Sequence, residues 1–104
     1  MGMIGDIYQG DILKIENIRG YVLVVSGEVY NSDGRIIGCP IADKAKIGPY
    51  HVRVSTEDGI NGFVLCENLS VVDLAVRGYS KKGRIRLIEI MEISDRLQGF
   101  FDYM

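Results

Sequence analysis

The stretch Tyr21-Val22-Leu23-Val24-Val25 is apolar without interruption and is dominated by β-branched valines. Such a run is typical of a β-strand whose two faces are both buried. A shorter apolar run, Ile12-Leu13-Lys14-Ile15, precedes it and also reads as a strand. Only residues 16–20 separate the two runs, so we expect a tight turn between them.

Further strands are expected on the C-terminal side of this pair. Residues 49–55 alternate cleanly, with Tyr50, Val52 and Val54 on one side and His51, Arg53 and Ser55 on the other. The remaining predicted strands cover residues 35–41, 60–66 and 83–88. Two short helical turns are expected, one at residues 28–30 and one at residues 70–76.

The end of the chain has a different period. Six residues recur at helical spacing with acidic residues between them: Leu87, Ile90, Met91, Ser94, Leu97 and Phe101. This pattern predicts an amphipathic helix that closes the chain and that frays or bends at Gly99. Short strands about every ten residues, followed by one helix, favour a compact mostly-β barrel over a parallel sheet.

Composition limits the class of protein. A chain of 104 residues with 47% hydrophobic and 25% charged residues is sufficient for one folded domain and is unlike a disordered chain. It contains neither an apolar run long enough for a membrane span nor an N-terminal secretion signal, so we expect a cytoplasmic protein. Cys39 and Cys66 each lie in an apolar run, which favours two buried thiols over a metal site.

The charge is unevenly distributed along the chain, although its net value is only −2. A basic strip without any acidic residue comprises Arg77, Lys81, Lys82, Arg84 and Arg86. The segment that follows, residues 87–104, contains four acidic residues and one arginine. A local strip of this kind attracts phosphate over a Debye length of about 10 Å, but it is equally typical of a charged edge strand that resists aggregation.

Several short motifs occur together in a fixed order. They are Gln9-Gly10-Asp11-Ile12, Arg19 leading into residues 22–26, Val29-Tyr30-Asn31, Cys39-Pro40-Ile41, His51-Val52, Gly62 to Glu67, Val72-Asp73, Arg77-Gly78 and Lys81-Lys82-Gly83. In this order the chain resembles the MazF/PemK (Kid) toxins from Gln9 to about Leu97. Each motif is weak alone, and the ordered set is fairly specific.

This resemblance implies a single toxin domain over residues 1–104, folded as an SH3-like barrel of the CcdB/MazF type with a C-terminal helix. It implies a homodimer that acts as a metal-independent endoribonuclease, without a cofactor, on short motifs in single-stranded mRNA. It also implies a cognate antitoxin whose extended tail occupies the RNA groove.

Metal-independent RNA cleavage requires a base for the 2′-hydroxyl, a cation for the phosphate and an acid for the departing 5′-oxygen. The resemblance makes Arg19 the candidate cation, and a guanidinium suits bidentate phosphate contact. Glu67 and His51 are the candidates for proton transfer, with Asp43 as a weaker third choice. The plainer interpretations are an idle exposed arginine, a solvated carboxylate at a strand end and an exposed strand histidine.

Other residues are candidates for RNA binding rather than cleavage. Lys44, Lys46, Lys81 and Lys82 are suited to phosphate contacts, and Tyr50 is suited to stacking on a base. Tyr50 shares a strand face with two valines, so a core position is the stronger interpretation.

The chain departs from the pattern of the family at three places. Gly20 stands where the family has proline, the first loop is shortened to residues 16–18, and Ala42 stands where the family has threonine. These departures leave open a homologue that binds RNA or antitoxin without cutting. A third alternative is a CcdB-like gyrase poison that uses the aromatic tail from Phe100 to Met104, although we favour docking of this tail on the barrel.

Overall fold

The computed structural model describes residues 7–43 and 48–101. In order along the chain, the elements are β1 (Asp11–Ile15), β2 (Tyr21–Val24), α1 (Glu28–Asn31), β3 (Arg35–Ala42), β4 (His51–Ser55), β5 (Asn61–Leu65), β6 (Ser70–Asp73), β7 (Tyr79–Arg84) and α2 (Leu87–Phe101). All of the strands belong to one antiparallel sheet with the order β4-β5-β3-β2-β1-β7, and β6 pairs with β3 outside this path.

The length of β3 allows the sheet to curl. One edge of β3 pairs with β2. On its other edge, Arg35 to Gly38 pair with β6, whereas Ile41 and Ala42 pair with β5. The sheet thereby bends into a half-closed barrel followed by helix α2, which confirms the small barrel with a C-terminal helix.

Both faces of the central strands are buried, as the apolar run 21–25 predicts. Ile12 and Leu23 belong to one core cluster, which also receives the helix α2. Their neighbours Leu13, Val22 and Val24 belong to a second cluster on the opposite face. Each fully buried Leu, Ile or Val side chain stabilises the fold by about 1.5–3 kcal/mol, so this two-sided core holds β1 and β2 rigidly in place.

Two sequence predictions about local structure are wrong. Residues 70–76 do not form a helical turn, because Ser70 to Asp73 form β6 and satisfy the open edge of β3. Residues 83–88 do not form a strand of their own, because residues 83 and 84 are the end of β7 and Leu87 begins α2. The last strand is β7, and the chain enters α2 at Leu87, where the Glu89 carboxylate accepts a hydrogen bond from the Arg86 backbone N–H at 2.9 Å.

The C-terminal helix is confirmed, but its predicted buried face is wrong in part. Ile90, Ile93 and Leu97 pack on the first core cluster, whereas Leu87 and Met91 are exposed. The helix continues through Gly99 to Phe101.

The two cysteines are fully buried and free, as expected. Burial raises the pKa of the Cys39 thiol to about 12 and that of the Cys66 thiol to about 11; the negative charge of Glu67 adds to both shifts, and Arg96 opposes the second. Among the helices of the described ranges, none has the length and apolar character that a membrane crossing requires.

Candidate functional site

The turn between β1 and β2 is compact and closed by its own hydrogen bonds. The backbone N–H of Ile18 donates to the carbonyl of Ile15 at 3.1 Å, and the Lys14 ammonium donates to the carbonyl of Ile18. Asn17 and Gly20 have positive φ values of 65° and 73°. Because the turn is held at both ends by buried strands, it presents Arg19 from a fixed base.

The conformation of Gly20 explains why proline is absent after Arg19. Proline fixes φ near −65°, whereas Gly20 lies at 73°, in the left-handed region that glycine adopts without strain. The shortened loop therefore reverses direction at Gly20 itself. This is a local backbone reason for one of the three departures noted in the sequence.

Arg19 is exposed and makes no ion pair with any described residue. It lines an open depression of about 390 Å³, which we call the Arg19 depression. Its walls are residues 19–21 on one side and residues 40–43 at the end of β3 on the other. The antiparallel pairing of Tyr21 with Ile41 brings these two segments together, so Arg19 and Ala42 share one site.

Among the described residues that line the Arg19 depression, three have side chains with polar chemistry. Arg19 supplies a permanent cation, Asp43 a carboxylate and Tyr21 a phenol. The other wall residues are glycine, proline, isoleucine and alanine, which shape the depression but exchange no protons. A cation, a proton acceptor and a proton donor around one open concavity form a set that suits a phosphate ester.

His51 and Glu67 lie close to each other but do not line the Arg19 depression. His51 Nε2 is 2.8 Å from Glu67 Oε2, and the two side chains are 15% and 35% exposed. Partial burial raises the pKa of the Glu67 carboxyl. The hydrogen bond from His51, a backbone hydrogen bond and the charge of His51 together have the larger effect, so this pKa lies below its ordinary value. A carboxylate that orients a histidine in this way is an arrangement suited to proton transfer.

Three of the five basic residues of the strip form ion pairs with acidic residues outside it. Lys81 and Arg84 both contact the carboxylate of Asp11, at 3.2 and 2.6 Å, and Asp11 is only 4% exposed. Arg86 pairs with Glu89 at 3.3 Å. Lys82 is exposed on the same strand. The strip therefore anchors the edge strand β7 to β1, in line with the edge-strand interpretation.

Tyr50 packs partly against the first core cluster, and its ring meets that of Phe100 edge to face at 5.1 Å. This position agrees with a core tyrosine and with docking of the start of the aromatic tail. Lys44, Lys46 and residues 102–104 lie outside the described residues.

Two further depressions continue from the first along the same surface. One of about 360 Å³ shares Pro40 with the Arg19 depression and is lined mainly by apolar residues, including Ile18 and Leu69. The next shares Ile18 and reaches Val76 and Arg77. Val76 is 75% exposed there. Together the three depressions form a path from Asp43 to Arg77, which we call the surface groove.

Sequence reasoning missed two residues that matter for this surface. Asp11 reads as a polar residue at the start of a strand, and only its burial between Lys81 and Arg84 reveals it as their counter-ion. Tyr21 reads as the first residue of a buried strand. Its position at the start of β2, directly after the turn that contains Arg19, was the sequence feature that could have indicated it.

Comparison with known proteins supports the fold and identifies a family. The MazE-MazF complex from Deinococcus radiodurans (Form-I) aligns with a TM-score of 0.83 at 23% identity over 92% of this chain and 96% of that chain. The MazF from the same organism (Form-I) gives 0.82 at 20% identity, over 92% and 96%. An endoribonuclease in complex with its cognate antitoxin from a mycobacterial species gives 0.81 at 16% identity, over 95% and 98%. No curated protein matches in sequence. The family described as PemK-like, MazF-like toxin of type II toxin-antitoxin system matches residues 4–101.

Proposed function

The chain belongs to the family of PemK-like, MazF-like toxins of type II toxin-antitoxin systems, and from this membership we propose that it is a metal-independent endoribonuclease acting on single-stranded RNA. The observation that carries the proposal is the Arg19 depression, where a carboxylate, a phenol and a guanidinium that forms no ion pair with any described residue surround one concavity. Its volume of about 390 Å³ falls within the range of ligand pockets.

Arg19 is the phosphate-binding cation in this proposal. Its guanidinium has no carboxylate partner in the described ranges, so binding a phosphate breaks no ion pair. A planar guanidinium contacts two phosphate oxygens at once, and this contact strengthens as charge develops in the transition state. The β1–β2 turn, which is closed by its own hydrogen bonds, fixes the backbone from which this side chain extends.

Asp43 is the base that takes the proton of the substrate's 2′-hydroxyl. It is the carboxylate that lines the Arg19 depression, and it lies opposite Arg19 across the end of β3. The 2′-oxygen then attacks the neighbouring phosphorus, and the 5′-oxygen of the next nucleotide departs. The products are a 2′,3′-cyclic phosphate and a 5′-hydroxyl end.

The role of His51 and Glu67 in cleavage stays a prediction. Their mutual hydrogen bond supports a proton-transfer function, but their position outside the Arg19 depression favours Asp43 for the 2′-hydroxyl. RNA contacts of Lys44, Lys46, Tyr50, Lys81 and Lys82 likewise stay predictions. Of these, Lys82 has the best support, because it is exposed on β7 and is not engaged by Asp11.

The proposed protein partners are a cognate antitoxin and a second copy of the chain in a cytoplasmic homodimer. The apolar middle of the surface groove suits the apolar side chains of an extended antitoxin tail, which would then block access to Arg19. Exposed Leu87, Ile88 and Met91 on α2 form an apolar patch that supports self-association.

The experiment is incubation of the purified protein with a long single-stranded RNA in the presence of EDTA, followed by mapping of all new 5′ ends. Discrete cuts with 5′-hydroxyl ends support the proposal and reveal the sequence motif. Intact RNA refutes cleavage. RNA-binding, antitoxin-binding and gyrase assays on the same preparation then test the non-cutting homologue and the gyrase poison.

A further inference from the structure

Among the described residues that line the Arg19 depression, a single side chain is suited to donate a proton. A guanidinium does not release its proton in proteins, and the proposed function assigns the Asp43 carboxylate to accept a proton. The remaining wall side chains carry no dissociable proton. Among the described wall residues, Tyr21 is therefore the one whose hydroxyl can donate a proton and serve as a general acid.

The packing of Tyr21 fixes its ring at the edge of the depression. Tyr21 is the first residue of β2 and pairs with Ile41 of β3. Its ring packs partly against the first core cluster, while the residue as a whole is only half buried. An anchored ring of this kind holds its hydroxyl in a defined place without first losing side-chain entropy when substrate binds.

The hydroxyl of Tyr21 is unpartnered within residues 7–43 and 48–101. Tyrosine hydroxyls in contact with a protein core usually find a hydrogen-bond partner, so this one is available to a ligand.

We propose that Tyr21 is the general acid of RNA cleavage and protonates the departing 5′-oxygen. This inference rests on the proposed function. In the step, the new bond joins the 2′-oxygen to phosphorus, and the bond from phosphorus to the 5′-oxygen breaks. The phenol proton moves to that oxygen, which leaves as a hydroxyl. The resulting phenolate regains a proton from water before the next turnover.

The test compares Tyr21→Phe with the wild type on two short RNAs that contain one mapped cut site. One RNA is natural, and in the other a sulfur replaces the departing 5′-oxygen. A thiolate leaves without protonation, so a missing acid matters only for the natural RNA. We expect Tyr21→Phe to slow cleavage of the natural RNA by about 10²-fold or more and to cleave the sulfur-substituted RNA at the wild-type rate.

Tyr79→Phe is the matched control, because Tyr79 is also half buried but packs on the opposite core cluster, away from the Arg19 depression. Equal cleavage of natural RNA by Tyr21→Phe and wild type overturns the inference alone. Equal slowing on both RNAs also overturns it, because it assigns Tyr21 to binding rather than to proton donation. Failure of the wild type to cut either RNA overturns the proposed function together with the inference.

Discussion

Replacement of Glu89 by glutamine is expected to destabilise the fold markedly without affecting the shape of the side chain. Glu89 is 4% exposed at the start of α2. Its carboxylate accepts hydrogen bonds from the Arg86 backbone N–H at 2.9 Å, from Arg86 Nε at 3.3 Å and from the Ser55 backbone N–H at 3.3 Å. It thus caps the helix and fastens it to β4.

The magnitude follows from the donors that Glu89 satisfies. Glutamine keeps one acceptor oxygen for Arg86 but turns an NH₂ group toward the N–H of Ser55, so a partly buried donor loses its partner at a cost of about 1–3 kcal/mol. Loss of negative charge near the helix N-terminus adds about 0.3–1 kcal/mol. We expect a total of about 2–3 kcal/mol, which in a domain of this size lowers Tm by roughly 8–20 °C.

The assay is urea unfolding followed by circular dichroism, with Glu92→Gln as the control on the same helix. Glu92 is exposed and lies 3.6 Å from Arg96, so its loss is expected to cost less than about 0.5 kcal/mol. If Glu89→Gln costs no more than this control, the capping role is refuted.

The difference in stability between wild type and Glu89→Gln is expected to depend on pH. Burial raises the pKa of Glu89, but the hydrogen bonds from Arg86 and Ser55 outweigh it, so the folded-state pKa lies below the ordinary value of 4.5. A carboxyl group of this kind stabilises the fold fully above its unfolded pKa and loses that contribution as pH falls through the folded value. The stability gap between wild type and Glu89→Gln should therefore be constant near pH 7 and narrow below about pH 4.5. A gap that widens in acid contradicts this reasoning.

Three further outcomes are expected. Gly20→Ala is expected to cost about 1–2 kcal/mol of stability, because Gly20 has a positive φ of 73°. Gly20→Pro should cost more, because proline cannot adopt this φ. A Gly20→Pro variant as stable as wild type in urea would refute this. His51→Gln tests the predicted role of the His51–Glu67 pair: a loss of cleavage of about 10²-fold or more keeps the pair in the mechanism, and a change below about threefold removes it. Cys39 and Cys66 have thiol pKa values of about 12 and 11, so at pH 8 at most about one thiol in a thousand is ionised and both should resist iodoacetamide. Both should react in denaturant. Rapid labelling of the native protein would contradict the burial of the thiols.

Much of the fold was predictable because its central strands carry a strong local signal. The run 21–25 and the alternation of residues 51–55 are explained by burial alone, and the structure has strands in both places. The strand β6 was missed because four residues with one buried valine give too short a pattern to be separated from a turn. Its existence depends on the open edge of β3, which is a long-range property.

The phase of α2 was predicted incorrectly for a similar reason. Periodicity places a glutamate outside, but Glu89 is drawn inward by backbone donors of Arg86 and Ser55. As a result Leu87 and Met91 face solvent. The hydrogen bonds that Glu89 accepts from backbone N–H groups outweighed the burial of the apolar residues predicted by the period. A hydrophobic period does not contain information about such hydrogen bonds.

Of the residues in the Arg19 depression, the sequence indicated Arg19 and, as a weaker choice, Asp43. The resemblance to the toxin family indicated Arg19. Which side chains lie beside Arg19 depends on the register between β2 and β3, which brings Asp43 and Tyr21 to the same depression. His51 and Glu67 were singled out for their chemistry, and the structure pairs them with each other rather than with Arg19.

The most direct test of the proposed site is single-turnover cleavage, with EDTA present, of a short RNA by wild type, Arg19→Ala and Arg35→Ala. Arg35 is also exposed, but it lies at the opposite end of β3 from the Arg19 depression. We expect the wild type and Arg35→Ala to produce 2′,3′-cyclic phosphate and 5′-hydroxyl ends at similar rates, and Arg19→Ala to be slower by about 10²-fold or more. Cleavage by Arg19→Ala at the wild-type rate would contradict the placement of the active site in this depression.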